Sequence, residues 1–451
     1  MSLSPPRRSG EDMQSEVLAP KARDGRARYV AAATLGNALE FYDFITYGFF
    51  AIQIGHAFFP SHDAFASLML SLATFGAGFI TRPLGAMVIG AYADRIGRRP
   101  AMMASFTLMG ASIIALALIP SYAVIGLAAP LLAVIARMIQ GFSLGGEVGP
   151  ATAFLLEVAA DRKRGRAVAW LGASQGIAAM TAGLVGIGLT ALMPPAMLDA
   201  WGWRVAMLLG AITLPVGLWI RRNLPETLHA ARPEAKPAEA NAPGAVTLVR
   251  RHWRVIVIAM ALIISSTIAT YIGSYLTTFA QATLKMTPMA AFTAAAALNG
   301  SGIVGCLVGG RLTDRFGRRP LLLWPTAALL AGILPVYVWM IHDRTPLALA
   351  VGPSILALFG GLRAGAFYAA VTESLPPRIR AGVFGLIYAG MVALFGGTTQ
   401  LVVTWMLHVT GDPMSLGWYH LATATMGGFA LLFMVESAPV RLAPALAVSA
   451  A

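Results

Sequence analysis

The stretch Gly90-Ala91-Tyr92-Ala93-Asp94-Arg95-Ile96-Gly97-Arg98-Arg99-Pro100 returns 220 residues later as Gly310-Arg311-Leu312-Thr313-Asp314-Arg315-Phe316-Gly317-Arg318-Arg319-Pro320. Both copies keep the leading Gly, the Asp-Arg pair and the Gly-Arg-Arg-Pro end in register. Only 12% of the 451 residues are charged, and long apolar runs flank each copy, so chance does not account for the match. The chain reads as two copies of one unit.

Hydrophobic residues make up 57% of the chain and the mean hydropathy is +0.70. A water-soluble protein of this length has too few polar residues left to cover such an apolar mass. A bilayer-crossing helix needs about 20 mainly apolar residues. Segments of that kind are expected at 30–56, 66–92, 101–120, 123–156, 167–192, 203–221, 254–283, 289–310, 320–341, 346–372, 382–408 and 416–436. The fold class that follows is all-α, with twelve membrane helices in two six-helix repeats.

Residues 1–28 hold Pro5, Pro6 and several basic residues but no apolar core, so they read as a polar tail and not a cleaved signal. Most of the 33 Lys and Arg fall in that tail and in alternate loops, which predicts that both termini are cytoplasmic. The same bias explains the formal charge of +13 without nucleic acid. Pro225, Pro233, Pro237 and Pro243 among Glu, Lys and Ala mark a linker. The expected division is a tail at 1–28, halves at 29–222 and 251–437 joined by a linker at 223–250, and a tail at 438–451.

Charges inside the apolar segments are the functional candidates, because an ionised side chain at membrane depth faces the bundle interior and marks a pathway or a partner. In the first segment Asn37, Glu40, Asp43 and Tyr47 lie within an arc of roughly 120° on a helical wheel. The two carboxylates either lock helices together or handle substrate and protons. Arg82 sits about twelve residues, or roughly 18 Å, from Asp94, near mid-membrane, where its guanidinium needs an anion: Glu40, Asp43 or a solute. In the fourth segment Arg137, Gln140 and Glu147 share a face; Arg137 and Glu147 are too far apart to pair with each other.

The second half has fewer buried charges. Thr267, Thr270, Tyr271, Ser274, Tyr275, Thr278 and Gln281 form a hydroxyl and amide stripe at three- and four-residue spacing, as expected of a cavity wall. Arg363 lies ten residues from Glu373 and so deep in the membrane; Asn299 and Gln400 are lesser polar candidates. A second loop pair also repeats: Glu157, Arg162 and Arg164 match Glu373, Arg378 and Arg380. Arginine matches carboxylate geometry in two-point contacts. Arg82, Arg137 and Arg363, with Asn37, Gln140, Tyr271 and Tyr275, are therefore candidate substrate ligands, and Asp43, Glu40 and Glu147 candidate proton carriers. One cysteine and seven scattered histidines leave no metal-ligand spacing and no converging nucleophile and base, so neither a cofactor nor an enzyme is expected.

The chain resembles the major facilitator superfamily, whose inner-turn signature is similar to Gly90 to Pro100 and whose fourth-helix signature is similar to Arg137, Gln140 and Gly141. Gly36-Asn37, Leu39-Glu40, Tyr42-Asp43-Phe44, Arg82-Pro83-Leu84-Gly85 and Trp201-Gly202-Trp203-Arg204 resemble its metabolite:proton symporter family. The run from Phe75-Gly76 to Arg99 looks most like that family's bacterial citrate and tricarballylate symporters, from which the chain departs at Leu362-Arg363. The resemblance implies two six-helix halves around a central cavity and alternating access by rocking. Asp94, Arg95, Arg98, Asp314, Arg315 and Arg318, with Glu157 and Glu373, would then form a gate at the inner side. As exposed pairs each would contribute little alone. The function implied is proton-coupled import of a carboxylated metabolite, citrate or a related tricarboxylate, by a monomer in a bacterial inner membrane. A dicarboxylate, an aromatic acid or a betaine is the alternative cargo.

Overall fold

Each repeated turn is one glycine long in the computed structural model, which describes residues 34, 37, 38, 41–145, 164–211, 214–215, 252–373 and 385–434. The helix Arg82–Ile96 stops at Gly97 and Arg98–Leu118 begins at once; Gly317 likewise separates Pro288–Phe316 from Arg318–Asp343. Gly97 has φ 129° and Gly317 φ 98°. A Cβ is disfavoured there, so the glycine kept in both copies is the residue that lets one membrane helix reverse into the next.

Helix occupies part of all twelve expected segments, and α1 to α12 are numbered accordingly. In the first half, α1 covers 41–49 and Ala51–Phe58, α2 is Ala64–Ile80 with its continuation Arg82–Ile96, and α3 is Arg98–Leu118; then come α4 (Ala128–Leu144), α5 (Arg164–Leu192) and α6 (Trp203–Ala211). In the second half, α7 is Trp253–Thr278 with a π turn at Phe279–Thr283; α8, α9 and α10 are Pro288–Phe316, Arg318–Asp343 and Pro346–Glu373. A π turn at Val392–Gly396 leads into α11 (Gly397–Thr410), and α12 is Ser415–Leu432. Among the described residues, eight helices are long and apolar enough to cross a membrane. The expected start of the fourth segment is corrected: Tyr122–Ile125 is a separate short turn, ended by Gly126 at φ 59°.

Large apolar side chains such as Ile80, Met87, Leu131, Leu386 and Phe429 are exposed on the outer surface. In lipid these are the solvated groups. Without a hydrophobic force between helices, close packing and polar contacts hold the bundle together, and the repeat shows in how it is packed. In the first half α2 lies on α4 through glycines: a Cβ at Gly141 would collide with the Gly78 carbonyl, and one at Gly85 with the Phe142 carbonyl. In the second half α8 and α10 meet in the same way, Gly305 and Gly309 against the Leu358 and Leu362 backbone and Gly361 and Gly365 in return.

Arg204, in the Trp-Gly-Trp-Arg motif, has a structural task. Its Nη1 donates to the carbonyls of Ala117 and Ile119 at 2.8 Å each, and its guanidinium stacks 4.1 Å from the Trp203 ring. A cation placed on the last carbonyls of α3 meets the negative end of that helix.

Candidate functional site

Among the described residues the two halves meet where α5 packs on α8 and α10 and where α2 packs on α11. α5 runs against α8, where Gly172 leaves room for Cys306, whose thiol donates to the Ala169 carbonyl at 3.2 Å. α2 meets α11, where Gly76 faces the Gly397 carbonyl. Between these pairs lies a cavity of about 250 Å³ lined from both halves, by Phe41, Phe44, Gln175, Ser266, Thr270, Tyr271, Asn299, Arg363 and His420 among others. A smaller cavity adjoins it. Phe41, Gln175, Ser266, Thr270 and Tyr271 line both, and Arg82, Phe367 and Tyr388 belong to the smaller one.

Arg82 opens the second part of α2, just beyond the joint at Thr81, with Pro83 at the next position. It is 7% exposed, and its guanidinium lies 4.5 Å from the Phe44 ring and 4.0 Å from the Phe79 ring. The hydroxyls of Tyr271 and Tyr388 are its polar neighbours, while Nε and Nη2 are buried without a hydrogen-bond partner. Asp43, one of the counter-ions expected from the sequence, faces elsewhere. A guanidinium that is always charged, flanked by rings and without an anion among the described residues, has the chemistry to take a carboxylate.

Asp43 belongs to a separate network. Its Oδ2 accepts from Gln140 Nε2 at 3.0 Å, and the same amide accepts from Arg137 Nη1 through Oε1. Gln140 therefore stands between the carboxylate and the guanidinium. Arg137 has no exposed surface; Phe44 and Tyr47 lie 4.7 and 4.4 Å from it and Phe75 5.2 Å. Asp43 Oδ1 is buried with no partner, so a proton can be added there or removed without breaking the Gln140 bond.

The structure brings Arg82, Tyr271 and Arg363 to the cavities and leaves the other sequence-predicted ligands elsewhere. Arg137 and Gln140 are turned toward Asp43. Asn37 donates to Ser174 Oγ at 2.8 Å and so ties α1 to α5. Tyr275 is 1% exposed and accepts from Thr404 at 2.9 Å, so it packs on α11 and not on the cavity. Gln175, which lines both cavities and has a buried Nε2 without a partner, was not singled out. The signal for it was one amide in an otherwise small and apolar stretch of α5. Glu40, Glu147 and Glu157 lie outside the described residues, as do the side chains of Asp94, Arg98 and Glu373.

The second repeated turn joins the halves in a way the exposed-pair expectation did not contain. Asp314 accepts from the backbone N–H groups of Gly165 at 2.8 Å and Arg166 at 3.0 Å, the first turn of α5, and pairs with Arg318 at 2.9 Å. The side chains of Arg318 and Asp314 are only 2% and 8% exposed. The pair is thus buried, because Gly317 folds α9 back so that Arg318 tucks against Thr313 and Asp314. Arg95 and Arg315 are exposed.

The fold agrees with known proteins. Residues 33–397 match the family model described as Major Facilitator Superfamily. The chain belongs to the Major Facilitator Superfamily. As a member of that superfamily it is a transporter and not an enzyme. Among its relatives, a citrate-proton symporter of Klebsiella pneumoniae is 34% identical, the alignment covering 95% of this chain and 98% of that protein. A proline/betaine transporter of Salmonella typhimurium is 30% identical over 92% of this chain and 85% of that protein. Of solved structures, a partially occluded inward-open xylose transporter from E. coli superimposes with a TM-score of 0.71 at 18% identity, covering 91% of this chain and 98% of that one. That likeness concerns the superfamily fold, two six-helix halves around a central path.

Proposed function

We propose that this protein is a proton-coupled symporter that imports citrate or a related tricarboxylate by alternating access. The observation that supports the reading most directly is Arg82: buried at an inter-half cavity with two nitrogens lacking partners, where none of the described lining residues is acidic. The cavity wall thus presents guanidinium and hydroxyl donors, suited to an anion. The citrate-proton symporter relative points to the same solute class.

On this reading Asp43 carries the proton on Oδ1, and Gln140 with Arg137 holds the carboxyl in place. Asp314 acts as a latch on α5 that must release when the halves rock apart on that side. The protein works as a monomer in a bacterial inner membrane, with the repeated turns and both termini in the cytoplasm. The halves at 29–222 and 251–437 move as units about the 223–250 linker.

A betaine is the other cargo that a relative's name suggests. Quaternary ammonium groups are held by open aromatic faces. Here the Phe44, Phe75, Phe79 and Tyr47 rings already have guanidinium groups against them, which disfavours a cationic headgroup. Purified protein in proteoliposomes, given an inward proton gradient, should accumulate labelled citrate above its external concentration, and a protonophore should abolish this. Gradient-driven accumulation of betaine but not citrate would replace the proposal with the second cargo.

A further inference from the structure

Arg363 presents the same chemistry as Arg82, from the other half of the protein and in the larger of the two adjoining cavities. It is 7% exposed, lines the larger cavity and makes no hydrogen bond or ion pair with the described residues. Its position follows from α10: Gly361 presses against the Gly302 carbonyl on α8, which fixes the helix, while a Cβ at Gly360 would meet nothing and leaves the cavity open beside it. Gln175 of α5 lines the same cavity, with its Nε2 buried and unpartnered. The neighbouring groups are Asn299, Tyr337 and His420, whose Nδ1 lies 3.4 Å from the Tyr337 hydroxyl. None of these supplies a negative charge.

We propose that Arg363 and Gln175 form a second carboxylate subsite, separate from Arg82, so that the cavity selects solutes bearing at least two carboxylates and holds them across both halves. The inference rests on the reading that the cargo is anionic, and it adds which anions are taken. A monocarboxylate can satisfy one guanidinium and must leave the other desolvated and unpaired, a cost that falls on the complex. A zwitterion would bring its cation toward the unmatched arginine. A di- or tricarboxylate meets both guanidiniums, one from each half, and the Gln175 amide adds a neutral donor for a further oxygen.

Equilibrium binding to the full-length protein in nanodiscs, with citrate, tricarballylate, glutarate and isobutyrate as probes, tests this. The wild-type protein should bind the first three at least about tenfold more tightly than isobutyrate. Arg363→Gln should weaken those three by roughly 10- to 100-fold, as for loss of a charge-assisted hydrogen bond, and leave isobutyrate within about threefold. Gln175→Ala should show the same pattern with a smaller loss, which keeps the test open if the arginine variant does not fold. Equal weakening of all four probes in both variants, or no preference in the wild type, overturns the second subsite. If citrate fails but glutarate binds and Arg363→Gln erases its advantage, the tricarboxylate assignment falls and the subsite stands. If no carboxylate binds the wild type, both fall.

Discussion

Asp314 accepts a hydrogen bond from the Gly165 backbone at 2.8 Å, so a carboxylate from the second half caps the first turn of a helix in the first. A negative group at a helix N-terminus contributes about 0.3–1 kcal/mol when exposed and up to about 2 kcal/mol when partly buried. Its burial with Arg318 places it toward the stronger end. Asp314→Asn should therefore slow turnover by about threefold to tenfold, a range set by that energy, and change KM by less than about twofold. Uptake kinetics in vesicles read both. Normal turnover with a much raised KM would contradict a gating role.

Asp43→Asn removes the protonatable oxygen while keeping an acceptor for Gln140. Accumulation driven by a proton gradient should disappear, whereas exchange of labelled for unlabelled solute should continue, because exchange need not release the proton. Counterflow and gradient-driven uptake measured side by side separate the two. Continued concentration of solute by the Asn variant would move the coupling role to another carboxyl.

Arg82→Lys keeps the charge and loses the planar fork that fits between Phe44 and Phe79 and offers two parallel donors. Binding of citrate should fall by roughly 10- to 100-fold, the scale of a lost charge-assisted hydrogen bond. Wild-type affinity in the lysine variant would reduce Arg82 to a point charge.

Two glycines separate packing from flexibility. Gly141→Ala forces a methyl into the Gly78 carbonyl and should destabilise the protein by about 1–3 kcal/mol. Gly90→Ala meets nothing within 4 Å and should stay within about 0.5 kcal/mol of the parent. Thermal unfolding in detergent compares them. Equal stability of both variants would contradict the backbone-to-backbone contact of α2 with α4.

The architecture was legible because its determinants are local. A turn of one glycine at Gly97 and again at Gly317 declares the duplication, and apolar run length declares the helices. The site was legible only in part. A helical wheel gives the angle of a side chain about its own axis but not the neighbour it meets, and Tyr271 and Tyr275 lie only about 40° apart by that measure. One ring reaches the cavity, beside the π turn at Val392–Gly396, where Gly396 leaves room for it; the other ends on Thr404. For the same reason Arg82 and Arg137 read alike in sequence. Only the packing of α1 against α2 and α4 shows that Gln140 takes one of them toward Asp43. Gln175 was hidden because a single amide has no period.

Phe44 gives the two arginines a common wall. Its ring lies 4.5 Å from the Arg82 guanidinium and 4.7 Å from that of Arg137. A phenyl ring holds no mobile ions and reorients little, so it screens far less than the same thickness of water would. An anion seated on Arg82 would therefore be sensed at Arg137 and, through Gln140, at Asp43, with no helix having to move. On the proposed reading, a solute bound beside this ring would change the electrostatic potential at the Asp43 carboxyl before the halves rock. On the roles proposed for Arg82 and Asp43, cargo and proton would communicate across one aromatic side chain.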